Sequence, residues 1–341
     1  MRTNRFLFTA IIMFAITFTL TSCGPSKAEL AIMSAPSIGE VSGLKNKLIW
    51  LEGNAQSGGN YVLEIGADEI VRCGFLSSCF ELSYKDKSNI TIILKGIGAN
   101  RTIGFVMNQT TGAGGAARTN NHSGFTIGSG VTLVLDDNIT LKGGTQEFAF
   151  VRVYSGGTLV MNDGSTINGA TNNNNEATSK TVFVFGAGVC VYNGGTFIMK
   201  GGTISGNTIR PRQLTVGEVE QAKAGYALGR SLVEGGKKAV EKTEEKFSKI
   251  EIRVGGAGVY VSGGVAEYKS SIPSLPWSKP SPPAPSGTFI KTGGTITGYS
   301  SDSENGNVVR DAEGNVLNGF GHAMSFGVPT YASEGKEPKV I

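Results

Sequence analysis

Three carboxylates are the side chains best placed for chemistry in the repeated part of this sequence. Asp136 and Asp137 form an adjacent acid pair at a turn after an apolar run, and Asp163 sits at the matching turn of the next copy, where it is expected to stack near Asp136. Converging carboxylates bind Ca²⁺ or serve as acid and base in sugar-bond cleavage. We favour a solvated turn instead, because the later equivalent positions are Lys200 and Thr292.

Histidine and the remaining strand cysteine provide no second catalytic pattern. His122 and His322 have no cysteine, histidine or acid at metal-ligand spacing. Cys190, within Gly188–Tyr192, is predicted to be a small apolar strand residue rather than a nucleophile. We therefore expect no catalytic residue, no metal site and no cofactor.

The N-terminus has the features of an export signal. Arg2 and Arg5 precede an uncharged apolar run, Phe6–Leu20, which suits a signal-peptide core and is short for a membrane span of roughly 20 residues. The following Leu20–Cys23 (Leu-Thr-Ser-Cys) resembles the lipobox of bacterial lipoproteins. This resemblance implies cleavage before Cys23 and lipidation of that residue, which would anchor the chain to a membrane. The alternative is an ordinary secretory signal with a chance cysteine.

Composition and charge exclude several classes of protein. Loss of residues 1–22 removes Arg2 and Arg5 but no acid, so the formal charge falls from +4 to +2. A nearly neutral chain argues against nucleic acid as the main partner. Glycine accounts for 50 of 341 residues and charged residues for only 17%, which favours a glycine-turned β-protein over a helical bundle or a charged disordered chain.

Cys73 and Cys79 are two cysteines close enough in sequence to form a disulfide. They lie six positions apart around an apolar segment. An exported protein can form a disulfide there, while two buried thiols fit the same segment equally well. Both interpretations remain open on the sequence alone.

One short phrase recurs along the chain and predicts its architecture. Glycine, threonine and two or three apolar residues follow one another from Gly157, Gly195 and Gly287, and a looser copy begins at Val131. With a Gly-Val-x-Val strand and a Gly-Thr-Ile strand, each unit has three short strands and roughly 22–28 residues. That length is one coil of a parallel β-helix, so the sequence predicts an all-β solenoid.

Alternation within these strands predicts the core. The phase expected to face inward consists of Leu133, Leu159, Phe197 and Phe289, followed by Leu135, Met161 and Met199. The phase expected to face outward begins with Thr132, Thr158, Thr196 and Thr288. For Asn168 and Asn207 we favour a left-handed turn conformation over a hydrogen-bonded stack along the axis.

The chain divides into consecutive segments. These are a signal peptide at 1–22, a tether at 23–42, the β-helix at 43–326 and an irregular tail at 327–341, with insertions at 209–253 and 265–285. The first insertion has helix chemistry and is either a solvated excursion or a partner-binding protrusion. The second is proline-rich and is expected to be an extended loop.

The most specific stretch of the chain is residues 194–207, Gly-Gly-Thr-Phe-Ile-Met-Lys-Gly-Gly-Thr-Ile-Ser-Gly-Asn. It resembles the glycine-threonine β-helix repeats of bacterial surface lipoproteins in the broad pectin-lyase-like superfamily. The resemblance covers about Leu48–Phe326 without the two insertions. It implies a right-handed parallel β-helix on the outer membrane or cell surface of a bacterium. It implies no activity, because one fold hosts many functions.

Three functional hypotheses follow. The favoured one is a lipid-anchored surface scaffold without catalytic activity, used for adhesion to a host or matrix protein or to a glycan. The alternative is a carbohydrate-active β-helix enzyme, a polysaccharide lyase or a glycoside hydrolase, that uses Asp136, Asp137 and Asp163. A degenerate fragment of a longer protein is a third hypothesis, motivated by the insertions and the ragged tail.

Overall fold

The computed structural model describes residues 41–74, 78–107, 109–111, 117–119, 123–173, 181–210, 251–254, 256–263, 285–300, 305–311, 313–317, 322–327 and 339–340. One helix and a long series of short strands make up this part of the chain. They are α1 Leu44–Asn54, β1 Asn60–Ile65, β2 Glu69–Arg72, β3 Phe80–Leu82, β4 Ile90–Gly96, β5 Arg101–Val106, β6 Gln109–Thr111, β7 Ala117–Thr119, β8 Phe125–Ile127, β9 Val131–Leu135, β10 Ile139–Lys142, β11 Thr145–Gln146, β12 Val151–Val153, β13 Thr158–Met161, β14 Ser165–Asn168, β15 Thr171–Asn172, β16 Thr181–Val184, β17 Val189–Val191, β18 Thr196–Met199, β19 Thr203–Ser205, β20 Thr208–Ile209, β21 Glu251–Val254, β22 Val259–Ser262, β23 Thr288–Lys291, β24 Thr295–Ile296, β25 Val308–Val309, β26 Met324–Gly327 and β27 Lys339–Val340.

Most strands belong to four parallel sheets. The first sheet has the order β1-β4-β9-β13-β18-β23-β27, and the second has β2-β5-β10-β14-β19-β24. The third sheet is β11-β15-β20-β25, and the fourth is β3-β8-β12-β17-β22-β26. Successive strands along the chain enter different sheets and pair with their equivalents from the neighbouring repeat. This all-β arrangement of stacked parallel strands is compatible with a parallel β-helix.

The recurring phrase sets the pairing register. Thr158 lies beside Thr132 on one side and beside Thr196 on the other, and Thr196 in turn pairs with Thr288. The hydrophobic partners keep the same order, so Leu159 lies between Leu133 and Phe197. Each copy of the phrase is therefore one strand of the first sheet, as the sequence predicted.

The predicted inward phase is confirmed. Its seven side chains are buried, from Leu133 to Phe289, and they belong to one continuous core. The threonines of the opposite phase are half-buried, and Lys291 is exposed where the last copy loses its inward methionine. A large aliphatic or aromatic side chain contributes roughly 1.5–3 kcal/mol when fully buried, so this row is a principal source of stability.

Glycine allows the turns that precede the copies of the phrase at Gly157 and Gly195. Gly156 and Gly194 have φ angles of 73° and 74°, in the left-handed region that costs other residues strain. Each also comes close to a serine of the adjacent rung, Ser129 and Ser155 respectively, where a Cβ atom would crowd the serine hydroxyl. The glycine repeat thus follows from the turn geometry and from the tight stacking of turns.

Helix α1 was not predicted from the sequence. Its residues Leu44, Leu48 and Leu51 are buried and join the main core. The Leu44 backbone N–H donates to Glu69 Oε2 at 2.8 Å, and Lys47 Nζ donates to the Glu64 carbonyl at 2.8 Å. The helix is therefore attached to the first strands through its apolar side and through two polar contacts.

The boundaries of the insertions and the tail differ from expectation where the chain is described. Thr208–Ile209 and Glu251–Val254 are strands, so strand pairing continues into both ends of the segment 209–253. Lys339–Val340 pairs with Thr288 and Phe289, so the expected irregular tail returns to the first sheet. Residues 1–40, 211–250 and 264–284 lie outside the described residues, and with them the signal peptide, Cys23, almost all of the tether, the interior of the first insertion and nearly all of the proline-rich loop.

The favoured explanation for Asn207 is wrong. Neither Asn168 nor Asn207 has a positive φ angle. Asn207 is instead fully buried, and its Nδ2 donates to Asn307 Oδ1 of the next rung at 2.8 Å. On its other side, Asn207 Oδ1 accepts the backbone N–H of Ala170 at 3.1 Å. The axial stack that we disfavoured therefore exists, with Asn307 rather than Asn168 as its second amide.

Candidate functional site

The predicted acids lie on the turns that follow strands β9 and β13 of the first sheet. These strands pair in register, with Met161 beside Leu135. The residue that hydrogen-bonds to Asp136 from the next rung is Asn162, whose Nδ2 donates to Asp136 Oδ1 at 2.9 Å. Asp163 falls one position further on, in line with Asp137. The expected stacking of Asp163 on Asp136 is thus replaced by an amide–carboxylate pair.

These carboxylates are engaged in local contacts. Lys95 Nζ lies 3.9 Å from Asp136 Oδ2. Asn138, which has a left-handed φ of 58°, donates through Nδ2 to Asp137 Oδ2 at 3.0 Å. Asp137 and Asp163 are exposed. Within the described residues no group of three or more His, Cys, Asp or Glu side chains could hold a metal ion. The arrangement stabilises turns and leaves its outer acids in solvent.

The described cysteines occupy two different environments. Cys73 and Cys79 are joined in a disulfide, with their Cα atoms 4.9 Å apart. Cys190 is a free, fully buried thiol in β17, as predicted. Burial raises the pKa of the Cys190 thiol to about 12, so it stays protonated at neutral pH and is a poor nucleophile.

His322 has a local hydrogen-bonding role, and His122 lies outside the described residues. The Nδ1 atom of His322 accepts the backbone N–H of Val309 at 3.0 Å. Partial burial lowers the pKa of His322 below its usual value, which favours the neutral ring that this bond requires.

A cluster around Arg152 was not predicted from the sequence. Arg152 lies on strand β12, on the face opposite the core residues Val151 and Val153, and is only 7% exposed. Its guanidinium carbon lies 4.9 Å from the centroid of the Phe148 ring and 5.6 Å from that of Tyr154. Both distances suit a cation–π contact. A buried charge on a strand face is rare without such partners.

Three hydroxyl groups hold this guanidinium. Arg152 Nε donates to Ser123 Oγ at 3.1 Å, and Nη2 donates to Ser78 Oγ at 3.1 Å and to Thr126 Oγ1 at 3.2 Å. The hydroxyl oxygens also lie close to one another, with Ser78 Oγ 2.6 Å from Thr126 Oγ1. We call Arg152, Ser78, Ser123 and Thr126 the arginine cluster. Because Arg152 occupies a lone pair of each oxygen, the hydroxyl hydrogens are directed elsewhere.

An open concavity of about 420 Å³ lies over the arginine cluster. Its walls are Ser78, Glu81, Ser83, Thr126, Gly128, Arg152 and Tyr154. Register places Glu81 beside Thr126 and Thr126 beside Arg152 on the fourth sheet. A smaller concavity of about 190 Å³ continues toward α1 and shares Ser78 and Glu81 with the first. We call the two together the sheet-four groove.

The disulfide fixes one wall of this groove. Ser78, whose hydroxyl belongs to the arginine cluster, is directly followed by Cys79, and the Cys79 backbone N–H donates to the Ser123 carbonyl at 3.0 Å. The bond to Cys73 therefore restrains the chain at the point where Ser78 reaches Arg152.

Comparison with protein families, with curated proteins and with solved structures finds no match to this chain. Among the described residues, no helix combines the length and the apolar character needed to cross a bilayer.

The sequence did contain one signal for the arginine cluster. Residues 148–154 read Phe-Ala-Phe-Val-Arg-Val-Tyr, so a single charge sits among apolar residues of a strand. Its position opposite Val151 and Val153 would have indicated an outward charge beside aromatic neighbours. Its hydroxyl partners are distant in sequence, and no local pattern indicates them.

Proposed function

We propose that the mature chain is a right-handed parallel β-helix, held on a bacterial surface by lipid on Cys23, that acts as an adhesion or interaction scaffold. The Leu20–Cys23 pattern supports the lipid anchor, and the weak net charge of the exported chain fits a partner other than nucleic acid.

The scaffold function is supported by one observation: strands on either side of the long insertions pair in the same register as their neighbours. Val189–Val191 pairs with Val259–Val261 although the charged segment lies between them. Thr196 likewise pairs with Thr288 across both insertions. The described strands therefore keep their register on both sides of the intervening residues. Solenoids use such insertions on one face for binding while the stack provides rigidity.

Detergent partitioning and surface proteolysis test the anchor. The wild-type protein is expected to enter the Triton detergent phase and to be cleaved when intact cells are treated with protease. Cys23→Ala should move the protein to the aqueous phase, whereas Ser26→Ala, a matched change in the tether, should not. A wild-type protein that stays aqueous or is protected on intact cells would contradict the proposal.

The second candidate is a carbohydrate-active enzyme that uses Asp136, Asp137 and Asp163. It is favoured by one observation, since Asp137 and Asp163 are exposed and stand in line on adjacent rungs. Depolymerisation of acidic polysaccharides, measured with and without Ca²⁺, tests it. Activity that disappears in Asp137→Asn and Asp163→Asn would establish the enzyme, and inactivity of the wild type on a broad panel would exclude it.

A further inference from the structure

We propose that the sheet-four groove binds a saccharide, with Glu81, Thr126 and Tyr154 as the contacting side chains and Arg152 as the residue that positions Thr126 and Tyr154. The inference deepens the proposed function, on which it rests, because it names the partner class of the scaffold. It also places recognition on the fourth sheet, away from the acids at the turns of the first sheet.

The side chains that line the sheet-four groove have the chemistry that a saccharide ligand requires. A saccharide unit presents neighbouring hydroxyl groups that donate and accept, and it has weakly apolar C–H faces. The groove offers a carboxylate acceptor at Glu81, hydroxyls at Ser83 and Thr126 that donate and accept, and an aromatic ring at Tyr154. Opposite charges at Glu81 and Arg152 make the groove polar without giving it the one-sided charge that a nucleic acid requires.

The dimensions agree with a small polar ligand. The concavity of about 420 Å³ falls within the range of roughly 300–1,000 Å³ usual for ligand sites. Glu81 and Arg152 belong to strands two apart in the fourth sheet, which places their backbones about 10 Å from each other. Thr126 lies between them. The three side chains therefore line one continuous row across the floor of the groove.

The arginine cluster prepares the hydroxyl groups for a ligand. Arg152 donates to Thr126 Oγ1 and Ser78 Oγ, so neither hydroxyl can donate back to the guanidinium. One of their two hydrogens bridges the 2.6 Å contact between these oxygens, and the other is left for Ser123 or for a ligand in the groove. The Tyr154 ring is also fixed, because it stacks on Tyr192 with centroids 4.6 Å apart and planes within 5°. Little side-chain motion remains to be lost on binding, which favours affinity.

A binding screen tests the proposal on the purified mature chain in mild detergent. The probe is a printed array of neutral, sialylated, uronic-acid and sulfated oligosaccharides, followed by titration calorimetry with any that bind. At least one class is expected to bind. Glu81→Gln and Tyr154→Leu should each weaken binding by tenfold or more, with Glu81→Gln leaving the melting temperature unchanged because Glu81 is exposed.

Glu64→Gln is the matched control, since Glu64 is an exposed glutamate on the first sheet. It should leave affinity within twofold. Absence of any bound oligosaccharide, or equal affinity in wild type and Glu81→Gln, would overturn the saccharide site. Cell adherence that persists without glycan binding would overturn this site but not the scaffold. Glycan binding by a chain that is not surface-exposed would overturn the scaffold but not the site.

Discussion

The acidic turns and the sheet-four groove both place polar side chains on consecutive rungs, yet they differ in what surrounds those side chains. Around Asp136 the contacts are pairwise, to Asn162 and Lys95, and the next acids are exposed. Around Arg152 three hydroxyls and two aromatic rings converge on one buried charge. Turn residues can stay in solvent, whereas strand pairing brings the side chains of one sheet face together. Acids counted along a sequence are therefore weaker evidence for a site than one charge amid aromatic strand residues.

Replacement of the buried charge is expected to show the largest difference between the two regions. Arg152→Met keeps a long apolar stem but removes three charge-assisted hydrogen bonds, so the free energy of unfolding should fall by about 2–4 kcal/mol. Asp137→Asn removes an exposed charge and should change it by less than about 0.5 kcal/mol. Guanidinium denaturation of both variants measures this contrast. Equal losses in the two variants would show that the arginine cluster is no more integrated than the turn.

Opening the disulfide is expected to have the next largest effect. Cys73 and Cys79 close a loop with a sequence separation of 6, for which the chain-entropy account gives about 2 kcal/mol. The double variant Cys73→Ser with Cys79→Ser should lose that amount, because its unfolded chain regains the conformational freedom that the bond removes. Reductant should lower the denaturation midpoint of the wild type and leave the variant unaffected. A wild-type midpoint insensitive to reductant would contradict a stabilising bond.

The contrast between local and distant partners also explains what the sequence could predict. Leu159 and Phe197 were placed correctly because alternation within one strand and repetition of the phrase decide their side. Helix α1 was missed although Leu44, Leu48 and Leu51 have helical spacing, and its N-terminal partner Glu69 comes from a strand 25 positions away. Asn207 needed Asn307, 100 positions later, and Arg152 needed Ser78, 74 positions earlier. Contacts of that range follow from rung stacking, which no local pattern records.

A second acid next to Asp136 tests how much the contacts at the acidic turns contribute to stability. Asn162→Asp replaces the donor to Asp136 by a second carboxylate, so we expect a loss of about 1 kcal/mol in the free energy of unfolding at low ionic strength. High salt should reduce the loss, because exposed charges are screened. Asn162→Ala separates the lost hydrogen bond from the repulsion, since its effect should not depend on salt. A salt-independent loss in Asn162→Asp would contradict the repulsion.

His322 provides the smallest expected effect, and it extends the comparison to the C-terminal edge of the fourth sheet. Burial lowers its pKa in the folded chain, so the unfolded chain binds a proton first as pH falls. The stability that this lowered pKa provides is present above the ordinary histidine value of about 6.5 and is lost as pH falls through the lower folded value. Replacement by asparagine, His322→Asn, retains an acceptor for the Val309 N–H without titrating. The difference in unfolding free energy between wild type and His322→Asn should therefore shift against the wild type between about pH 8 and about pH 5. A difference that is constant across this interval would show that the Val309 contact does not depend on the neutral ring.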